Sequence, residues 1–268
     1  MTRRLALFAC GWSVLTGSGI ALFAALGDDS SVTKLTPTKA YPHDPRAFTQ
    51  GFAWHDGVLY EGTGRRGTSV LRTVDLATGE TGQFRKLDAR LFGEGICVLG
   101  DEIFQVTWES GWGFVYDRES LTLKRRFRIA GEGWGLTTDG ERLILSDGTA
   151  VLRFLDPATG RVTGRVRVAD QGRPVAQLNE LEWVRRPDGG AEVLANVWYS
   201  PHIARIDPTT GAVNGWLDCT ALVKLAGVTD REKVLNGIAW DREGERLLLT
   251  GKMWPAVYEV PWPGPNAE

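Results

Sequence analysis

Leu91-Phe92-Gly93-Glu94-Gly95-Ile96-Cys97-Val98, followed by Ile103-Phe104-Gln105-Val106-Thr107-Trp108, is the stretch from which the fold is read. Two apolar, strand-like runs flank a Gly100-Asp101 turn, which is hairpin chemistry. A lone carboxylate stands between two glycines at the head of the first run. A charge at the start of a buried strand is costly unless it has a partner or a task. The same plan occurs four more times. Gln50-Gly51-Phe52-Ala53-Trp54 leads to Val58-Leu59-Tyr60-Glu61, and Trp134-Gly135-Leu136-Thr137 to Leu143-Ile144-Leu145-Ser146. Asn179-Glu180-Leu181-Glu182-Trp183 leads to Val193-Leu194-Ala195-Asn196-Val197-Trp198, and Asn236-Gly237-Ile238-Ala239-Trp240 to Leu247-Leu248-Leu249-Thr250-Gly251-Lys252.

With Gly51, Gly95, Gly135, Leu181 and Gly237 taken as equivalent, the steps are 44, 40, 46 and 56 residues. Four-stranded propeller blades recur every ~40–45 residues, so the spacing predicts an all-β, five-bladed β-propeller. A second repeat agrees. Val74-Asp75-Leu76-Ala77-Thr78-Gly79, Leu155-Asp156-Pro157-Ala158-Thr159-Gly160 and Ile206-Asp207-Pro208-Thr209-Thr210-Gly211 are near-copies, with a weaker version at Tyr116-Asp117-Arg118-Glu119. Each reads as a tight turn between the third and fourth strands of a blade. Helical periodicity is not sustained anywhere, and Leu217 to Lys233 has room for one or two short helical turns. Beyond the fifth pair only Ala256 to Val260 reads as strand, so the last blade lacks its outer strand. The segment from Val32 to Tyr41 is expected to supply it and so hide an exposed edge.

Composition narrows the class. The 268 residues include 11 Trp and 33 Gly but only two Met, a balance that suits a turn-rich β protein over a helical bundle. A net charge of −2 gives no reason to expect nucleic acid or an anionic membrane as partner. Arg3 and Arg4 precede an uncharged run from Leu5 to Leu26. That order marks residues 1–27 as either a cleaved signal peptide or an uncleaved N-terminal membrane anchor. Residues 28–268 then form one domain, exported to the periplasm or outside the cell, with membrane contact only through residues 1–27 if they are retained. Export permits a disulfide between Cys97 and Cys219, but Cys97, flanked by Ile96 and Val98, reads first as a plain buried thiol.

In a propeller the heads of the innermost strands meet at one mouth of the central channel. Gln50, Glu94, Asn179 or Glu180, and Asn236 would gather there, with Phe48, Phe92, Trp108, Trp134, Trp198 and Lys252 close by. Three His without ligand spacing and no Cys-x-x-Cys argue against a catalytic zinc. No Gly-x-Ser-x-Gly and no phosphate loop is present. Gly131-Glu132-Gly133-Trp134-Gly135 lacks the strand-to-helix setting of a dinucleotide fingerprint, and Lys124-Arg125-Arg126 reads as a solvated outer face. There remains an aromatic cage with one carboxylate, amides and a lysine, suited to a small ligand bearing an amine or amide. A carboxylate packed among aromatics has a raised pKa, fit for general acid–base work.

The ordered motifs resemble the plant- and bacterial-type glutaminyl-peptide cyclotransferases (glutamine cyclotransferases). They are Tyr41-Pro42-His43-Asp44-Pro45-Arg46-Ala47-Phe48-Thr49-Gln50-Gly51, Phe92-Gly93-Glu94-Gly95-Ile96, Gly131-Glu132-Gly133-Trp134-Gly135-Leu136-Thr137, Leu178-Asn179-Glu180-Leu181-Glu182, Ala195-Asn196-Val197-Trp198, Leu235-Asn236-Gly237-Ile238-Ala239 and Thr250-Gly251-Lys252-Met253-Trp254-Pro255. The resemblance implies a five-bladed propeller that turns N-terminal glutamine of peptides or proteins into pyroglutamate with release of ammonia. It implies Glu94 as the catalytic acid/base, and Phe48, Gln50, Phe92, Trp108, Trp134, Asn179, Trp198 and Lys252 as the substrate pocket. No metal ligand and no cofactor are expected, although a structural cation such as calcium in the channel is compatible with this, and a monomer is expected. Two other classes stay open. One is a non-catalytic propeller that binds peptide N-termini. The other is a propeller lactonase, which would hold a metal in channel-facing carboxylates, for which only Glu94 and Glu180 are at hand.

Overall fold

The computed structural model describes residues 31–186 and 189–264. The expected signal or anchor, residues 1–27, lies outside them. Five sheets stand around a channel, each inner strand packed beside the next and the fifth returning against the first. The first blade comprises Thr49–His55, Val58–Thr63, Val70–Val74 and Thr81–Lys86. The second comprises Gly93–Leu99, Glu102–Thr107, Trp112–Asp117 and Leu123–Arg128. Shorter strands at Leu136–Thr138, Leu143–Leu145 and Val151–Leu155 build the third with Val162–Arg167. The fourth runs Leu178–Arg185, Ala191–Val197, His202–Ile206 and Val213–Asp218.

The fifth blade takes Leu235–Asp241, Arg246–Gly251 and Ala256–Pro261 from the chain's end. Its outer strand is Lys39–Pro42, antiparallel with Lys39 opposite Glu259. The segment before it is divided differently from the expectation. Val32–Lys34 lies on the fourth blade instead, parallel to Val213–Asp218, with Val32 opposite Trp216. Between the two strands Leu35 is buried in the cluster shared by the fourth and fifth blades, so one short segment ties two neighbouring sheets.

The glycine at the head of each of the first three inner strands is set by the approach of the neighbouring blade. A Cβ at Gly51 would collide with the backbone of Gly95 and Ile96, one at Gly95 with Gly135 and Leu136, and one at Gly135 with the carbonyl of Asn179. A register shift falls at this point in the first, second, fourth and fifth inner strands, between Thr49/Gly51, Gly93/Ile96, Leu178/Leu181 and Leu235/Ile238. These bulges align Glu180, not Leu181, with Gly51, Gly95 and Gly237, which corrects the sequence alignment by one residue. The fourth blade therefore carries a glutamate where its counterparts carry glycine. Its side chain crosses the channel: Oε1 accepts from the Phe52 N–H at 3.3 Å and Oε2 from the Ile238 N–H at 2.9 Å. Two residues on, Glu182 Oε1 accepts from the Trp240 N–H at 2.8 Å. Strand periodicity puts both carboxyls on the channel side. Burial pushes Glu180 well above the carboxylate range, with Glu182 adding to it, and pushes Glu182 up to about 8.

Apolar side chains fill the gaps between blades. Cys97, Phe104 and Val115 of the second pack on Leu136, Leu143 and Leu155 of the third, and full burial of a side chain of Leu or Phe size contributes roughly 1.5–3 kcal/mol. The repeated Asp-containing turns share one mechanism. Asp75, Asp156 and Asp207 each accept from a backbone N–H two or three residues on, and the glycine that ends each turn has a positive φ of 72–77°. In the weaker copy Leu121 takes that place at φ 53°. A helix, Thr220–Ala226, follows the fourth blade and buries Leu222 and Ala226. Cys97 and Cys219 are both buried free thiols. On the outer strand of the second blade, Lys124 and Arg125 pair with Glu102.

Candidate active site

The nine residues that the resemblance implies for catalysis and substrate binding line one cavity of about 310 Å³ at a single mouth of the channel: Phe48, Gln50, Phe92, Glu94, Trp108, Trp134, Asn179, Trp198 and Lys252. The inner strands deliver Gln50, Glu94 and Asn179 from three blades, because their equivalent positions all face this mouth. The aromatic residues come from the loops that enter or leave those strands and stand above them. Asn236, at the fifth such position, lies one layer behind. Its Nδ2 donates to the Thr49 carbonyl at 2.9 Å and to Gln50 Oε1 at 3.4 Å. Glu180 points down the channel, as described.

The aromatics form a ring of edge contacts. Phe48 meets Phe92 at 6.1 Å between centroids, Phe92 meets Trp108 at 5.6 Å, and Trp134 meets Trp198 at 5.4 Å, geometries favoured by the ring quadrupoles. Charged groups close the two gaps. Lys252 Nζ lies 4.9 Å from the Phe48 centroid and 5.8 Å from that of Trp198. Opposite, Glu132 Oε2 accepts from both indoles, Trp108 Nε1 at 2.9 Å and Trp134 Nε1 at 2.8 Å.

Glu94 forms the floor, only 4% exposed. Its Oε1 accepts from Gln50 Nε2 at 2.8 Å. Burial pushes its carboxyl well above the usual range; Lys252 and the Gln50 hydrogen bond oppose that push and Glu132 adds to it. Burial also draws the Lys252 ammonium below the ordinary lysine value, against the pull of Glu94 and Glu232. Asn179 Oδ1 is buried without a hydrogen-bond partner. An orphaned acceptor of this kind normally costs stability, and here it borders the cavity. The head of the first strand is braced from behind. Thr49 Oγ1 donates to Glu61 Oε1 at 2.7 Å, and the same buried carboxylate holds His43 Nε2 at 3.1 Å and Arg72 Nη2 at 2.7 Å.

A cavity with a buried carboxyl, a cation, a free amide acceptor and aromatic walls can enclose a small amide or amine and move a proton within it. Residues 12–262 match a family model described as glutamine cyclotransferase. The chain belongs to the glutamine cyclotransferase family. It is 42% identical over 254 residues to a glutaminyl-peptide cyclotransferase of Arabidopsis thaliana, covering 93% of this chain and 76% of that protein. It also superposes on the crystal structure of Myxococcus xanthus glutaminyl cyclase with a TM-score of 0.81 and 35% identity, across 87% of this chain and 97% of that one. The five-bladed architecture is thus that of a glutamine cyclotransferase.

Two further residues line the cavity of this family member, Arg65 and Glu232. The Arg65 guanidinium lies 4.5 Å over the Phe48 ring. Glu232 Oε1 accepts from the Tyr199 hydroxyl, and the Tyr199 ring stacks on Trp198 at 4.4 Å. Both sit in connections without repeat or periodicity, so sequence pattern gave no signal for them. Among the described residues no group of three or more His, Cys, Asp and Glu side chains is arranged to hold a metal ion.

Proposed function

We propose that this glutamine cyclotransferase converts N-terminal glutamine of peptides and proteins to pyroglutamate, releasing ammonia, with Glu94 as the group that carries the proton. The observation behind this reading is the buried Glu94 carboxyl on the floor of an aromatic cavity, its pKa raised and Lys252 above it. The family and the two relatives support the reaction; the roles below rest on the geometry.

The substrate's neutral α-amine attacks its own side-chain carboxamide carbon. A C–N bond forms to close the five-membered lactam and the bond to the amide nitrogen breaks. Glu94, in its ionised form, takes a proton from the attacking amine and delivers it to the departing nitrogen, which leaves as ammonia. The aromatic ring holds the side chain folded back on its amine, an orientation effect that can supply several kcal/mol of the barrier. Gln50 donates one amide hydrogen to Glu94 and accepts from Asn236 with its oxygen, which fixes the orientation of its amide. Lys252, whose buried ammonium stands at the cavity wall, donates to the carboxamide oxygen as it gains negative charge. The free oxygen of Asn179 receives an N–H of the substrate. The reaction as written needs no cofactor, and a monomer suffices, since every group named belongs to one chain.

The charged-then-apolar order of residues 3–26 supports export as the setting of this activity; among the described residues no helix is long and apolar enough to cross a membrane. The test is ammonia release from a Gln-initiated dipeptide, with and without a chelator. Release unaffected by the chelator is expected. A pocket that binds the dipeptide without releasing ammonia would make it a receptor for peptide N-termini instead.

A further inference from the structure

We propose that Glu132 is a positioning residue: its single oxygen Oε2 is the shared acceptor that sets Trp108 and Trp134 as the facing walls of the cavity. The inference deepens the proposed function and rests on it for its catalytic consequence, although its geometric content stands alone.

The two indoles belong to different parts of the ring. Trp108 follows the second strand of the second blade and is held there by its N–H to the Phe92 carbonyl at 3.2 Å. Trp134 heads the third blade, its N–H on the Ser146 carbonyl at 2.9 Å, with its ring against Gly148 where a Cβ would intrude. The other aromatic neighbours in the ring meet edge to face, but Trp108 and Trp134 are joined through the Glu132 carboxylate. An N–H bonded to a charged acceptor is roughly twice as strong as a neutral pair, and each indole N–H released from it would need water inside the cavity.

Glu132 is itself braced from behind. Arg153 Nη2 donates to its carbonyl at 2.7 Å and Arg153 Nη1 to that of Ala130, while Arg153 pairs with Asp147 at 3.2 Å. Gly133 next to it leaves no room for a side chain against Val106 and Ile129. The peptide backbone is thus fixed, and the carboxylate projects between the tryptophans. Its charge also reaches Glu94, adding to the rise in that carboxyl's pKa. The other groups that face Glu94 are Gln50 from the first blade and Lys252 from the fifth, with Arg65 and Glu232 at the rim.

The test compares Glu132→Ala with Glu132→Gln, which keeps an acceptor oxygen but no charge. Near-ultraviolet circular dichroism reports the aromatic arrangement without any need for turnover. Glu132→Ala is expected to lose part of that signal and about tenfold or more in kcat/KM, mainly in kcat. Glu132→Gln is expected to keep the signal and recover to within about threefold, with its acid limb displaced to lower pH because an anion beside Glu94 is gone. An unchanged aromatic spectrum in Glu132→Ala overturns the proposal, whatever the activity. So does a Glu132→Gln enzyme as impaired as Glu132→Ala. Should Glu132→Ala fail to fold, Trp108→Phe and Trp134→Phe delete the indole donors separately; both with kcat within about twofold of the parent also overturn it. A parent protein inactive on the dipeptide would instead sink the proposed function, and the spectra would still decide the role of Glu132.

Discussion

Gln50 and Glu94 stand 44 residues apart in sequence and meet across two blades, amide nitrogen to carboxylate oxygen at 2.8 Å. The bond favours the charged carboxylate, so it lowers a pKa that burial has raised. Glu94→Gln is expected to fold normally and to lose about 10²–10⁴-fold in kcat on a Gln-initiated dipeptide. Gln50→Leu removes the donor, so the Glu94 pKa rises further. The acid limb of kcat/KM should move to higher pH, and a limb that stays in place would show that the bond does not act on the reacting carboxyl.

Lys252 predicts the other side of the profile. Burial lowers its pKa, so its charge is lost at a pH below that of an ordinary lysine and the rate should fall there. The full profile is a bell. Its acid side is bounded by Glu94, above the usual carboxylate range, together with the substrate's own α-amine, which reacts only when neutral. Its alkaline side is bounded by Lys252, below the usual lysine range. In Lys252→Met the alkaline limb should vanish. The acid limb should rise, since the cation that favours ionised Glu94 is gone. Rates measured across pH on the dipeptide check both movements at once.

Behind the site, Glu61 controls stability instead of rate. Burial alone would raise its pKa, but His43, Arg72 and Thr49 together bring it down to about 2. A depressed carboxyl contributes stability that is complete above the unfolded value, near 4.5, and is lost as pH falls toward 2; the size is about 3 kcal/mol. His43 has the opposite sign. Burial lowers its pKa but Glu61 and the Trp254 carbonyl raise it overall, so its contribution is present below the unfolded value and fades as pH rises through the folded one. Urea denaturation should therefore show a fall in stability on the acid side between about pH 4.5 and 2. That acid-side fall should flatten in Glu61→Gln, a variant less stable than the parent near neutrality.

The fold was legible because of a steric demand that leaves a mark in the sequence. Gly51, Gly95 and Gly135 each lie where the next blade's backbone passes too close for a Cβ, so the repeat shows as a polar or aromatic residue followed by glycine. The fourth blade blurred the pattern, because Glu180 stands in the glycine position and uses its carboxylate across the channel. Gln50, Glu94 and Asn179 were legible for the same reason, because equivalent strand heads converge in a ring. The aromatic residues and Lys252 were named only as their neighbours and through the resemblance, and the same convergence misplaced Asn236, which lies behind the cavity. Arg65 and Glu232 were not legible, since nothing in local periodicity marks a loop residue that turns inward. Glu132 was hidden differently. It lies in a glycine-rich run that mimics a nucleotide fingerprint, and only the two indole contacts give it a purpose.

The strands at Val32–Lys34 and Lys39–Pro42 find their partners 184 and 220 residues further along, at Trp216 and Glu259. Lys39–Pro42 thus waits for the last strand to be made and Val32–Lys34 for the fourth blade, so the first three blades are complete before either can dock. Closing so long a loop delays the reward for its entropy cost. The sealing of the ring is then the late step of folding, and until it occurs the edges of the fourth and fifth blades stand open to the wrong strand. The growing chain is exposed to mispairing for as long as these two strands remain unplaced.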